Sequence, residues 1–193
     1  MVGRSLGAMT GSVYDVARAL RERAPLGLPR VKLHKLLYLC QGHHVADRGE
    51  PMFDEPIHAW DMGPVVGRLW KMEELGAVPE DGGELDTAAL NTIGYVLSRY
   101  GQLSGRNLID LTHGQDPWRR ADEGRLPGES ARIELKWIRE YFCASRQEEL
   151  EELGLDGDEV RAWLARAPAR LAAAGDPVPD DLNAIRAMLT AGE

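Results

Sequence analysis

The sequence is short of most things that would announce a function. Cysteine occurs only at Cys40 and Cys143, far apart and inside apolar helical patterns, so no disulfide framework staples the chain and its thiols suit a reducing compartment. Positive charge is scarce: 23 basic residues against 31 acidic ones leave a net charge of −8. A domain that grips phosphates usually shows a net basic face, so nucleic acid is not expected as the principal partner. No apolar run approaches the roughly 20 residues that span a bilayer. The stretch from Met1 to Thr10 has one arginine and no apolar centre, so neither a signal peptide nor a membrane anchor is expected, and the protein should be cytoplasmic. The phosphate-loop, dinucleotide, zinc-protease and nucleophile-elbow motifs are all missing.

What is present describes a globular chain. A hydrophobic share of 44% and a charged share of 28% over 193 residues are ordinary for a folded protein. A chain of this length buries roughly 70% of its unfolded surface, enough for a real core.

Periodicity predicts a mainly α fold, a single compact helical domain with a small β element near residues 52–60. Ser12 caps a first helix with Val13, Val16, Ala17 and Leu20 inward, ended by Pro25, Gly27 and Pro29. A second carries Leu33, Leu36, Leu37 and Cys40 and runs to Asp47 before Gly49 and Pro51. The alternation through Ile57, His58, Ala59 and Trp60 suits one or two short edge strands. Gly63-Pro64 reads as a turn, with Pro64 opening a helix that holds Val66, Leu69 and Trp70. Further helices are expected around Ala89–Tyr100, after Ser104 with Leu108 and Leu111 inward, after Asp116-Pro117 with Asp116 as cap, and through Leu135, Ile138 and Phe142. Beyond Ser145 the texture changes. Eleven of the acidic residues but only five of the basic ones fall in 144–193, so a core domain over 10–143 is expected to precede a helical acidic C-terminal extension over 144–193, with short helices at Trp163 and Leu182.

Four groupings invite chemistry. His34, Cys40, His43 and His44 share one helix, and Cys40 with His43 or His44 has the spacing of metal ligands or of a thiol–imidazole pair. A structural metal site wants four ligands and no second pair completes it, so packing is the favoured reading and neither metal nor cofactor is expected. The turn from Trp60 to Val66 could present backbone N–H groups to an anion, or could simply be a corner packed by Trp60. Thr112, His113 and Asp116 resemble acid–base machinery, yet helix capping explains Thr112 and Asp116 more cheaply. Between Arg18 and Lys35, six bases (Arg18, Arg21, Arg23, Arg30, Lys32 and Lys35) stand against one acid, Glu22, a run that usually marks a solvated helix face.

The order of segments says more than any one of them. KLHKLLYLCQGHHVADRGEPMFDEPIHAWDMGPVVGRLW, from Lys32 to Trp70, resembles the signature of the Panacea domain. Lys32, Leu33, Lys35, Leu36, Leu37, Tyr38, Gln41 and Gly42 match its first helix. Pro51, Phe53, Glu55, Pro56, Ile57, Ala59, Trp60, Gly63, Pro64 and Val65 match the strand and turn that follow. Leu108, Leu111, Thr112, His113, Pro117 and Trp118 match a later L-x-x-L-T-H-x-x-x-P-W element. His43 and Met62 stand where that family commonly has aromatics.

The resemblance implies an antitoxin, not an enzyme. It would neutralise a cognate toxin, encoded by an adjacent gene, through direct protein–protein contact; some relatives deliver a toxin to an ATP-dependent protease instead. The expected contact surface is Trp60, Asp61, Met62, Gly63, Pro64, Val65 and Arg68, with Lys32, Leu36, Tyr38, Gln41, Gly42, Thr112, His113, Pro117 and Trp118 as the motif residues around it. An acidic extension would suit a basic partner. Two readings of another kind stay open at this stage: a metal or thiol enzyme built on Cys40, His43 and His44, and an operator-binding regulator using the Arg18–Lys35 run.

Overall fold

The apolar stripe that begins at Val13 makes α1 (Val13–Arg23), and Ser12 caps it by accepting the Tyr14 N–H at 3.2 Å. These elements come from a computed structural model, which describes residues 11–24, 27–79, 82–152, 154 and 156. Next comes α2 (Arg30–Arg48), closed by Gly49 in the left-handed conformation that favours glycine. Every residue of α2 from Leu33 to Gly42 is buried, so the helix is wrapped on all sides. Its four leucines there, Leu33, Leu36, Leu37 and Leu39, are wholly buried. Each stabilises the fold by roughly 1.5–3 kcal/mol. The sequence stripe shows only one face of this helix; the others are covered because α1, α4, α5 and β2 all pack on it.

The chain then forms β1 (Ile57–Trp60) and β2 (Gly63–Val66), an antiparallel hairpin turning at Asp61 and Met62. A third strand, β3 (Ala131–Ile133), pairs with the other side of β1, giving the order β2-β1-β3. The remaining helices are α3 (Gly67–Glu74), α4 (Thr87–Tyr100), α5 (Gly105–His113), α6 (Asp116–Asp122) and α7 (Leu135–Glu152). The fold is mainly helical with a small antiparallel sheet, as periodicity predicts.

Several local expectations are corrected. The strand starts at Ile57, and of the stretch from Met52 only Phe53 forms a lone bridge, to Gly11. Pro64 opens no helix: Gly63 to Val66 is strand, and α3 begins after it at Gly67. Proline is tolerated there because β2 is an edge strand and needs no outward N–H at that position. In α5 the inward residues are Leu108, Ile109 and Thr112, while Leu111 faces solvent. Asp116 is the first residue of α6 and not its cap, the cap position being Gln115.

Two compact units divide the chain, Met1–Phe142 and Cys143–Glu193. The short helices expected near Trp163 and Leu182 lie outside the described residues. Among the described residues, no helix is long and apolar enough to cross a membrane.

Candidate functional site

The β1–β2 hairpin carries the expected contact residues apart from Arg68, which lies on α3, and the structure separates them into two groups. Gly63, Pro64 and Val65 are buried, whereas Asp61, Met62 and Arg68 are exposed and Trp60 is half-buried. The tip is pinned from outside the hairpin. Asp61 accepts from Arg125 Nη1 at 2.7 Å and from the Gly128 N–H at 2.9 Å, and the Arg125 hydrogen bond leads the effects that hold its carboxyl below the usual range. Arg125 also meets Asp122 at 2.8 Å, and Trp60 Nε1 donates to Ser130 Oγ at 3.0 Å. The loop from Arg125 to Ser130 and the hairpin tip are therefore one surface. Met62 on the tip is 53% exposed and Leu126 on the loop 64%.

The inner side of the hairpin rests on two consecutive residues of α2. Lys35 Nζ donates to Pro64 O at 3.0 Å, and His34 Nδ1 accepts the Val66 N–H at 3.2 Å. Both side chains are fully buried. Burial drives the Lys35 pKa down to about 7. His34 is lowered to about 3, by burial first and then by Lys35, Arg30 and Arg21. Because Nδ1 must accept from Val66, the proton sits on Nε2, which faces Glu73 Oε2 at 3.3 Å. Glu73 also takes Arg21 and, at 3.6 Å, Arg30, whose guanidinium lies 4.6 Å from the Trp70 ring centre. Trp70 in turn meets Trp60 edge-on at 5.6 Å.

Gly63 explains how closely these parts approach. Its φ of +94° is one that side-chain-bearing residues rarely adopt, and an added Cβ would lie 2.8 Å from Lys35 Cε and 3.0 Å from Thr112 Oγ1. The LTH motif is thus brought against the hairpin. Thr112 does not cap a helix: it is buried and donates to Leu108 O at 2.8 Å within α5. His113 stacks on Trp118 at 3.8 Å, and its pKa is lowered by burial and by the nearby Lys35 charge. Among the described residues, Tyr38 Oη, His113 Nε2, Gln115 Oε1 and Trp118 Nε1 are buried and find no hydrogen-bond partner. Burial, with Tyr141 and Asp116, holds the Tyr38 hydroxyl well above its ordinary pKa.

The cysteine–histidine row has three separate environments. Cys40 is fully buried, which pushes its thiol well up and keeps it from being a thiolate. His43 packs between Tyr95, Tyr100 and Phe142, with Nε2 at 3.1 Å from the Tyr100 hydroxyl. His44 Nδ1 lies 3.2 Å from Thr92 Oγ1. The basic run is a solvated face only in part, with Arg21 and Arg23 exposed. Lys35 is in the core, Arg18 pairs with Asp15 at 2.8 Å, Arg21 and Arg30 bind Glu73, and Lys32 donates to Gly101 O at the end of α4.

Other motif residues hold the scaffold. Gln41 donates to Phe53 O at 2.9 Å and accepts from the Met52 and Phe53 N–H groups at 2.9 and 3.3 Å, fixing the chain that leads into β1. At Gly42 an added Cβ would fall 2.3 Å from the Phe142 ring, so glycine admits α7. Leu36, Pro117 and Trp118 are buried. Sequence reasoning missed Arg125, Ser130 and Leu126, which lie far from the hairpin along the chain and follow no motif. Lys35 was visible as a motif residue, but nothing in its spacing says that it caps a strand edge.

No curated protein and no solved structure matches the chain. Residues 33–119, which contain most of α2, the β1–β2 hairpin, α3 to α5 and the start of α6, match the family described as antitoxin SocA-like, Panacea domain, the family that the motifs resemble.

Proposed function

We propose that this protein neutralises a protein toxin by direct contact, and that the pinned hairpin tip is the centre of the contact surface. The supporting observation is a grouping of exposed apolar side chains. Met62, Leu111 and Leu126 are three of the four large exposed hydrophobic residues among the described residues. Met62 is on the hairpin tip itself. Leu111 adjoins Thr112, which packs against Gly63, and Leu126 adjoins Arg125, which binds Asp61. Exposed apolar side chains gathered on a rigid support, with Trp and Arg at the margin, suit a protein partner. Trp60, Trp70 and Arg68 supply that margin.

The role needs no reactive centre. Cys40 is inert through burial, and His34, His43 and His44 are engaged with Glu73, Tyr100 and Thr92. Such a partner would meet the protein in the cytoplasm, and its gene would lie beside this one. The test is coexpression with the product of the adjacent reading frame. The wild-type chain should restore growth and co-purify with that product at fixed stoichiometry, while toxin levels stay constant in cells lacking ATP-dependent proteases. Met62→Asp should abolish rescue with the fold intact. Rescue by Met62→Asp at wild-type strength would remove the hairpin from the interface, and an adjacent product that remains poisonous with no complex formed would remove the antitoxin reading.

A further inference from the structure

The two borders of the small sheet are treated differently. Strand residues present their N–H and C=O to the same side, alternating along the strand. On β2, Pro64 O is taken by Lys35 and the Val66 N–H by His34, so these two outward groups of the border are engaged by buried side chains of α2. The ladder to β1 therefore runs through Gly63 and Val65, opposite Trp60 and His58. Ile57 and Ala59 then face β3, where they pair with Ile133 and Ala131. Arg132, between those two, points its N–H and C=O away from the sheet. No described group bonds to either of them.

The surroundings say what would fit there. Arg132 is exposed, its side chain 63% accessible and only loosely paired with Glu134 at 3.8 Å. It shares a sheet face with its cross-strand partner His58 and with Trp60, and Arg68 follows Gly67, where an added Cβ would lie 3.8 and 3.7 Å from those two side chains. No described acidic group pairs with Arg68. Arg132 and Arg68 are thus two exposed basic residues on elements that meet around the His58 and Trp60 side chains, on a chain whose net charge is −8. The border is continuous with the Arg125–Ser130 loop that carries Leu126 and pins the hairpin.

We propose that β3 is a docking border for an extended, acidic segment of the protein partner, which adds a fourth strand to the sheet. The segment pairs its backbone with Arg132 and sets a carboxylate opposite the Arg132 guanidinium, where its side chain falls on the Trp60 face. Backbone pairing supplies affinity with little sequence demand, and the guanidinium supplies selectivity. This rests on the antitoxin reading, because the partner is the same toxin.

The decisive variant is Arg132→Pro, set beside Arg132→Ala. Proline removes the outward N–H, and an edge position with its N–H directed to solvent is where a sheet accepts proline. With the adjacent-frame product as probe, Arg132→Pro should weaken binding at least about tenfold more than Arg132→Ala, because only the former also removes a backbone bond. Arg132→Glu should weaken binding in a salt-dependent way. Independently of any variant, the Arg132 amide of the wild-type chain should gain protection from hydrogen exchange in the complex. Equal affinities for the proline and alanine variants, with an Arg132 amide exchanging as fast bound as free, would overturn the proposal while leaving the antitoxin reading standing. A wild-type chain that binds no adjacent product would overturn both. If Arg132→Pro unfolds, the amide exchange of the wild-type complex decides alone. Self-association of the isolated chain that Arg132→Pro abolishes would reassign the border to a second copy and refute the toxin as its occupant.

Discussion

His34 makes the stability of this domain sensitive to acid in a way that can be isolated. In the fold its pKa is about 3, against 6.5 for an unhindered imidazole, because burial first, and then the charges of Lys35, Arg30 and Arg21, disfavour the imidazolium. Below pH 6.5 the unfolded chain takes up a proton that the folded chain refuses until about pH 3, so folding stability falls as pH falls through that window. Lowering the pH to about 4.5, two units below the unfolded value, should therefore cost about 2.7 kcal/mol from this residue alone. Carboxylates also titrate there, so the comparison must be with a variant. His34→Asn places an amide oxygen where Nδ1 accepts from Val66 and removes the titrating ring. It gives up the contact with Glu73, a loss that lowers stability by about the same amount at both pH values. Chemical denaturation at about pH 7.5 and about pH 4.5 should show the wild type losing about 2–3 kcal/mol more than His34→Asn. Parallel losses in the two proteins would refute the argument and, with it, the placement of a neutral His34 beneath the hairpin.

Three further outcomes follow from the packing. Gly63→Ala must adopt a positive φ and drive a methyl into Lys35 and Thr112, which should cost about 2–4 kcal/mol and lower Tm by roughly 5–12 °C in a thermal melt; a change within about 2 °C would show that the hairpin does not approach α2 so closely. Gly42→Ala should also destabilise, by about 1–3 kcal/mol in denaturant titration, although alanine is the better helix former; a net gain would mean that the Phe142 ring moves aside freely. Gln41→Ala leaves the buried backbone groups of Met52 and Phe53 without partners and should cost at least about 2 kcal/mol, whereas an unchanged denaturation midpoint would mean that water replaces the amide.

The helices were legible because burial on one face leaves a period in the sequence, as Val13, Val16, Ala17 and Leu20 show. The sheet was legible only in part. Pro64 carries the ordinary sign of a helix start, and its place in an edge strand depends on Lys35 arriving to bind its carbonyl, a tertiary event with no local signature. With three residues, β3 is too short to show alternation. The motif residues split in the same way. Gln41 and Gly42 serve contacts with Phe53 and Phe142 that spacing does not reveal, while the exposed position of Met62 followed from its place at a turn. Lys35 and His34 were the least readable of all, since charge normally marks a surface and here marks the centre.

The stopper that Lys35 and His34 place on β2 limits what the sheet can become. A stack of copies grows without end only if each member offers two receptive flanks, one for the neighbour before it and one for the neighbour after. Here one flank is already spoken for from within, so any strand that joins at β3 finds no second landing place beyond β2. Growth terminates after a single addition, so an open border at β3 does not make the chain the seed of a fibre.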